Sequence, residues 1–186
     1  MKSNKLNGKR LDLLKEIIPR LSRVAYFGTS TNPGLKAALR ETERAAKAAG
    51  IAVQYIDILS FKDAETGYRA AVKQQAEATL MNVSGPITQA NRKAFVNLEL
   101  KYRLPVMHDT RGPVNAGGLM FYGVNLADLD RRSATYVDKI LKGAKPADLP
   151  VEQPKKFEFI INLKAAKQIG LTILPNVLAR ADRVIR

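Results

Sequence analysis

Apolar residues recur along this chain in two alternating rhythms. Leu11, Leu14, Ile17 and Ile18 follow helical spacing, with Pro19 near the end of that helix. Residues 23–27 then form a short, nearly continuous apolar run that predicts a buried strand. After a turn over 28–34, a helix is expected through Leu35, Leu39 and Ala46 to a stop at Gly50, with Asn32 as N-cap and Pro33 as its first residue. Strand 51–58, helix 63–75, strand 78–83, helix 88–102 and strand 104–107 continue the alternation. Strands separated by helices of this length predict right-handed βαβ units and therefore a parallel sheet. The expected fold class is α/β, a three-layer open and mostly parallel sheet.

Beyond Asp109 the rhythm changes. Residues 110–115 predict a polar loop and 119–122 a strand. Leu126, Leu129, Ala134, Val137, Ile140 and Leu141 mark the buried stripe of a strongly amphipathic helix. Asp128 near its start and Lys139 and Lys142 near its end suit the helix dipole. Residues 143–154 carry Pro146, Pro150 and Pro154 and predict an extended connection. Strand 157–163, a short helix 164–168 closed at Gly170, and a last helix from Pro175 through Val177, Leu178, Ala181 and Ile185 complete the pattern.

With 186 residues and 46% hydrophobic content, the chain suffices for one well-cored domain. It has no cysteine, which excludes disulfides, thiolate metal sites and cysteine nucleophiles. The basic opening 1–10 has no apolar run behind it, and no uninterrupted apolar stretch approaches the roughly 18 residues of a membrane span, so neither a signal peptide nor a span is expected. Lys plus Arg outnumber Asp plus Glu by 31 to 17, a formal charge of +14 that favours anionic partners. The charges are scattered, however, and no aromatics interleave with them, so a solvated basic surface is preferred to a nucleic-acid platform.

In open α/β sheets, ligands collect beyond the carboxyl ends of the strands. Three loops there carry polar chemistry. Thr29, Ser30 and Asn32 offer hydroxyls, an amide and backbone N–H groups to an anionic or polar group, although these are also the residue types of turns and caps. Ser84 is a compact donor, and Gly85 allows close backbone approach. Asp109 could take a ligand ammonium and Arg111 a carboxylate; equally, the two could pair with each other. His108, the only histidine, has no second metal ligand nearby and reads as structural. Adjacent residues on a strand face opposite ways, which argues against His108 and Asp109 as an acid–base pair. The turn 28–34 lacks the Walker lysine and the Rossmann glycine spacing. No cofactor and no metal are expected.

The run Gly117-Gly118-Leu119-Met120-Phe121-Tyr122-Gly123, continued by residues 126–154, 156–164, 169–173 and 178–182, resembles the C-terminal signature of solute-binding proteins of ABC importers with the type I periplasmic-binding-protein fold. Residues 8–19, Arg23-Val24-Ala25 with Asn32-Pro33, and 103–106 extend the likeness along the chain through shorter matches. The resemblance implies the second of two lobes. Residues 1–124 and 155–186 would form that Rossmann-like lobe, and 125–154 a crossover helix and proline-rich connection associated with a first lobe. Most of the first lobe and the export signal would then be absent from this chain.

A binding role rather than catalysis follows from the same resemblance. It implies a small polar organic solute such as an amino acid, the membrane subunits of an ABC importer as partners, and a periplasmic location. A basic protein binding nucleic acid or an anionic surface is the alternative, and a small-molecule enzyme is less favoured. Without a first lobe to cover it, the stripe on the 126–141 helix must fold back on the sheet or pair with a second copy; the long proline-rich connection favours exchange, and a homodimer with this segment at its interface is expected.

Overall fold

The computed structural model describes residues 5–186. Its elements run α1 (Lys5–Ile17), β1 (Arg23–Gly28), α2 (Leu35–Ala48), β2 (Ala52–Asp57), α3 (Ala64–Lys73), β3 (Ala78–Asn82), α4 (Gly85–Ala90), α5 (Arg92–Tyr102), β4 (Val106–His108) and α6 (Arg111–Asn115). Then come β5 (Met120–Val124), α7 (Leu126–Leu141), β6 (Phe157–Asn162), α8 (Leu163–Ile169), α9 (Pro175–Leu178) and β7 (Arg183–Ile185). The seven strands form one sheet in the order β2-β1-β3-β4-β5-β6-β7. All neighbouring pairs are parallel except β5 with β6. The α/β class and the mostly parallel sheet are as expected.

Period-two alternation divides the strand side chains between two cores. Val24, Tyr26, Leu80 and Met107 join the core that also holds Leu11, Leu14 and Ile17 of α1. Ala25, Phe27, Met81 and Val106 join the opposite core with Tyr68 of α3 and Phe95 of α5. Helices on both faces explain why β1 and β3 read as apolar runs rather than alternating ones. Edge strand β2 is half exposed along its length.

Several local expectations are corrected. Helix α2 begins at Leu35 with Gly34 in the cap position, so Pro33 lies outside it; Asn32 accepts the Gly34 N–H at 3.0 Å and closes the preceding turn instead of capping the helix. The helix expected over 88–102 starts earlier, at Gly85, and breaks at Asn91 into α4 and α5. Residues 111–115 of the expected polar loop form a helical turn. The C-terminal helix stops at Leu178, and Arg183–Ile185 adds a strand to β6. The Asp182 carboxylate accepts the Phe159 N–H at 2.7 Å and brings the terminus alongside β6.

The largest correction concerns α7. Its bounds are those the periodicity predicts, and the Asn125 side chain caps it by accepting the Asp128 N–H at 3.0 Å. Its apolar stripe, however, is not buried against the sheet. Leu126, Val137 and Leu141 are exposed by 66%, 55% and 82%. Asp128 is the buried residue of this helix, paired with Lys156 at 3.2 Å. Helix and proline-rich connection together form an arm: Tyr136 donates to the Pro150 carbonyl, and Arg132 pairs with Glu152.

At the opposite end of the sheet, Glu77 ties the start of β1 to β3. Its carboxylate accepts the Ser22 N–H at 2.6 Å, the Arg23 N–H at 2.9 Å and the Ser22 hydroxyl at 3.0 Å. Partial burial pushes this carboxyl up, but those donors and the Arg23 charge outweigh it and hold it below its ordinary value. The stabilisation is therefore complete above a pH of about 4.3 and lost as pH falls through the depressed value. Glu77→Gln should cost about 1–2 kcal/mol in urea unfolding at pH 7 and much less near pH 3. Equal costs at both pH values would show that the carboxylate charge is not what holds the strands.

Candidate functional site

The carboxyl ends of β3, β4 and β5 open onto a cleft of about 230 Å³. Its polar lining is Arg10, Asn82, Asp109, Thr110, Arg111 and Glu158, and its apolar lining is Leu6, Phe121, Val124 and Leu126. Two cationic and two anionic groups therefore face one small space beside an apolar wall.

Arg10 is the pivot of this arrangement. Only 6% exposed, it reaches from α1 so that Nε donates to the Tyr122 carbonyl on β5 at 2.8 Å and Nη1 to Asn7 Oδ1 at 2.7 Å. Asn7 in turn donates to Thr42 Oγ1 of α2 at 2.9 Å. Burial lowers the Arg10 pKa, and the nearby Asp109 carboxylate works against that shift.

Asp109 lies just beyond β4, enclosed by protein yet with a window onto the cleft. Its Oδ2 accepts from Asn82 Nδ2 at 3.2 Å, and Asn82 Oδ1 accepts the Tyr26 hydroxyl at 2.7 Å. A hydrogen-bonded chain thus runs from the core phenol of β1 to the cleft carboxylate. Burial raises the Asp109 pKa above its ordinary value, and the Arg10 charge offsets this only in part.

Of the residues singled out from the sequence, Asp109 and Arg111 line the cleft. They do not pair with each other: Arg111 faces Glu158 at 3.7 Å. Thr29 is buried and committed to structure, donating to the Ile58 carbonyl at 2.9 Å and accepting the Ser84 N–H at 2.9 Å. It fastens the loops after β1, β2 and β3 to one another. Ser30 donates its N–H to Asp57 at 2.9 Å, and both Ser30 and Asn32 are exposed outside the cleft lining. Ser84 precedes α4, and its carbonyl accepts the Ile87 N–H at 3.0 Å. A Cβ built at Gly85 would meet nothing within 4 Å, so no close backbone approach requires glycine there.

The sequence reading missed Arg10 and Asn82. Arg10 carries no local signature, because its carbonyl partner is 112 residues away. Asn82 did leave a trace, as the polar residue ending the apolar run of β3. His108 faces away from Asp109, buried with Nε2 3.0 Å from Glu99 Oε1 on α5. A Cβ at Gly118 would come within 3.0 Å of that same nitrogen, which accounts for glycine at this position. Among the described residues no trio of His, Asp or Glu is placed to hold a metal ion. Nor is any of their helices long and apolar enough to cross a membrane.

The fold with this cleft has solved counterparts. A conserved domain protein from Vibrio cholerae superposes with a TM-score of 0.84 at 22% identity, over 96% of this chain and 60% of that one. A domain from Streptococcus pneumonia in complex with L-Trp gives 0.83 at 23%, over 97% and 62%. The solute-binding protein of a 5-methylthioribose transporter from Thermotoga lettingae, in complex with 5-methylthioribose, gives 0.62 at 16%, over 96% and 64%. The chain thus spans about 60% of the length of these structures. No curated protein matches it. The family model for ABC transporter substrate binding proteins matches residues 2–185, nearly the full sequence, and the chain belongs to that family.

Proposed function

We propose that this chain is the C-terminal, solute-holding lobe of an ABC-importer binding protein and takes a small zwitterionic solute of the amino-acid class in the cleft. The observation that carries this reading is the placement of Arg10 and Arg111 with Asp109 and Glu158 around one small space. An ammonium group matches the Asp109 carboxylate, a carboxylate matches a guanidinium fork, and Phe121, Val124 and Leu126 offer an apolar wall to a side chain. The L-Trp held by the Streptococcus pneumonia structure accords with such a solute. The 5-methylthioribose of the Thermotoga lettingae structure shows that other chemistries occur on this fold.

In this reading residues 1–124 and 155–186 are the lobe, and 125–154 is the arm that in a two-lobed protein would lie with the first lobe. Ser30, Asn32 and Gly85 stand on neighbouring loops and would form the outer rim that a closing lobe covers, with Thr29 and Ser84 bracing it. Closure supplies much of the affinity of such proteins, because it removes the ligand from water on all sides. The partners are then the membrane subunits of an importer and a second copy of the chain, and the location is periplasmic. No chemical step is assigned to any residue.

Two outcomes are expected in solution. Calorimetric titration with a panel of amino acids and small carboxylates should give hits no tighter than about 100 μM, roughly −5.5 kcal/mol, from this one-sided cleft. Asp109→Asn should abolish binding of the best amino acid and, because it removes the countercharge of buried Arg10, lower the melting temperature as well; Arg111→Gln, at a half-exposed position, should weaken binding with the melting temperature near that of the parent. Submicromolar binding, or full retention of binding by Asp109→Asn, would contradict the proposed site.

The second outcome is a pH dependence. Solute capture through an ammonium needs Asp109 ionised, and burial sets its protonation above the ordinary value of about 3.9. Affinity should therefore fall on acidification while exposed carboxylates are still charged. A pH profile flat down to about 4 would remove Asp109 from ammonium recognition.

A further inference from the structure

Recognition of a zwitterion uses Asp109 for the ammonium and Arg111 for the carboxylate, and it leaves Glu158 without a partner on the solute. Glu158 stands on β6 directly opposite Gly123 of β5. Its side chain is only 16% exposed, and its carboxylate meets Arg111 at 3.7 Å, an ion-pair distance beyond that of a hydrogen bond. Arg111 is half-exposed and so loosely held by this contact that it can turn toward a solute. Gly123 keeps the space between them open. A Cβ there would come within 2.6 Å of the Phe121 ring and 3.2 Å of the Asp109 carbonyl, so glycine lets the aromatic wall lie between the end of β4 and Glu158.

The charges of the cleft cancel. Arg10 and Arg111 stand against Asp109 and Glu158, a formal sum of zero, whereas the chain as a whole carries +14. A bound zwitterion preserves that balance, and a solute with a second carboxylate does not. Asp109 and Arg111 are then occupied, and Arg10 is already committed to the Tyr122 carbonyl, to Asn7 and to the Asp109 charge.

We infer that Glu158 is a specificity-determining residue that turns away solutes with an acidic side chain. Its carboxylate loses its countercharge once Arg111 engages the solute, and it then repels a second carboxylate brought into the same space. The inference rests on the zwitterion reading of the cleft. Without Glu158 the cleft would carry +1 within a strongly basic body and would draw anionic solutes in general. The pull of the body acts at long range and is screened within about 8 Å at physiological salt. Repulsion by Glu158 acts inside a partly dry cleft, where screening is much weaker, so it prevails at the point of binding.

L-Glutamine and L-glutamate have nearly the same shape and differ by one charge, so the ratio of their affinities isolates this repulsion. Chemical-shift titration of the chain at about 0.15 M salt reads both solutes even when binding is weak. The parent should hold L-glutamine about tenfold or more tightly than L-glutamate, against the pull of its own net charge. In Glu158→Gln the affinity for L-glutamate should rise by about tenfold and the ratio should fall toward one. Glu158→Asp keeps the charge and should keep the preference for L-glutamine. Equal affinities in the parent, a measurement that needs no variant, would overturn the role. So would the failure of L-glutamate to gain in Glu158→Gln. Loss of both solutes together in that variant would also overturn it, by showing that Glu158 only holds Arg111 in place. The underlying reading fails in a different way: no amino acid would then shift the cleft residues of the parent, and the selective role of Glu158 would fall with it. Neutral amino acids bound in the cleft with no discrimination against L-glutamate would leave that reading standing and overturn the inference alone.

Discussion

The candidate site depends on one buried guanidinium. Arg10 reaches out of α1, satisfies the Tyr122 carbonyl on β5, and presents its charge to Asp109 at the end of β4. A buried charge is costly to leave unpaired, and Arg10 meets Asn7 on its own helix and, from distant parts of the chain, Tyr122 and Asp109. Asn7, Thr42, Asn82 and Tyr26 extend these contacts into a network that runs from α2 to the cleft. Pre-organisation of this kind suits binding: the donors and acceptors are held before a ligand arrives, so less ordering is needed when it does.

The sheet supplies the frame for that network. Parallel strands end together, and the loops after β3, β4 and β5 are brought side by side by their order in the sheet. Thr29 fastens the neighbouring loops through one hydroxyl that both donates and accepts. Its role is thus to fix loop positions, while Asp109 and Arg111 face the solvent-filled space. On the far side of β4, His108 and Glu99 lie buried side by side between the strand and α5, outside the cleft.

Much of this fold was legible in the sequence, for identifiable reasons. Strands β1 and β3 are covered on both faces, so they read as largely apolar runs; α7 is amphipathic along its whole length, and its bounds follow from that period. Amphipathicity reports that a face is apolar but not what covers it, and so the burial of α7 could not be read. The segment 183–185 has three residues with a charge at one end, too short to distinguish strand from helix by period, and its assignment rests on pairing with β6. The position of Asp109 and Arg111 on the cleft lining could be anticipated because residues after a strand in this fold class lie beyond the carboxyl ends of the sheet. Arg10 could not, since nothing within α1 indicates a partner on β5.

Backbone amide chemical-shift mapping with the best-binding amino acid tests the central claim most directly. The account predicts that shifts concentrate at Asn82, at 109–111 and at 121–126, with the Arg10 side-chain resonance moving as well. Shifts confined to the loops 29–34 and 84–86, or spread evenly over the basic surface, would contradict it.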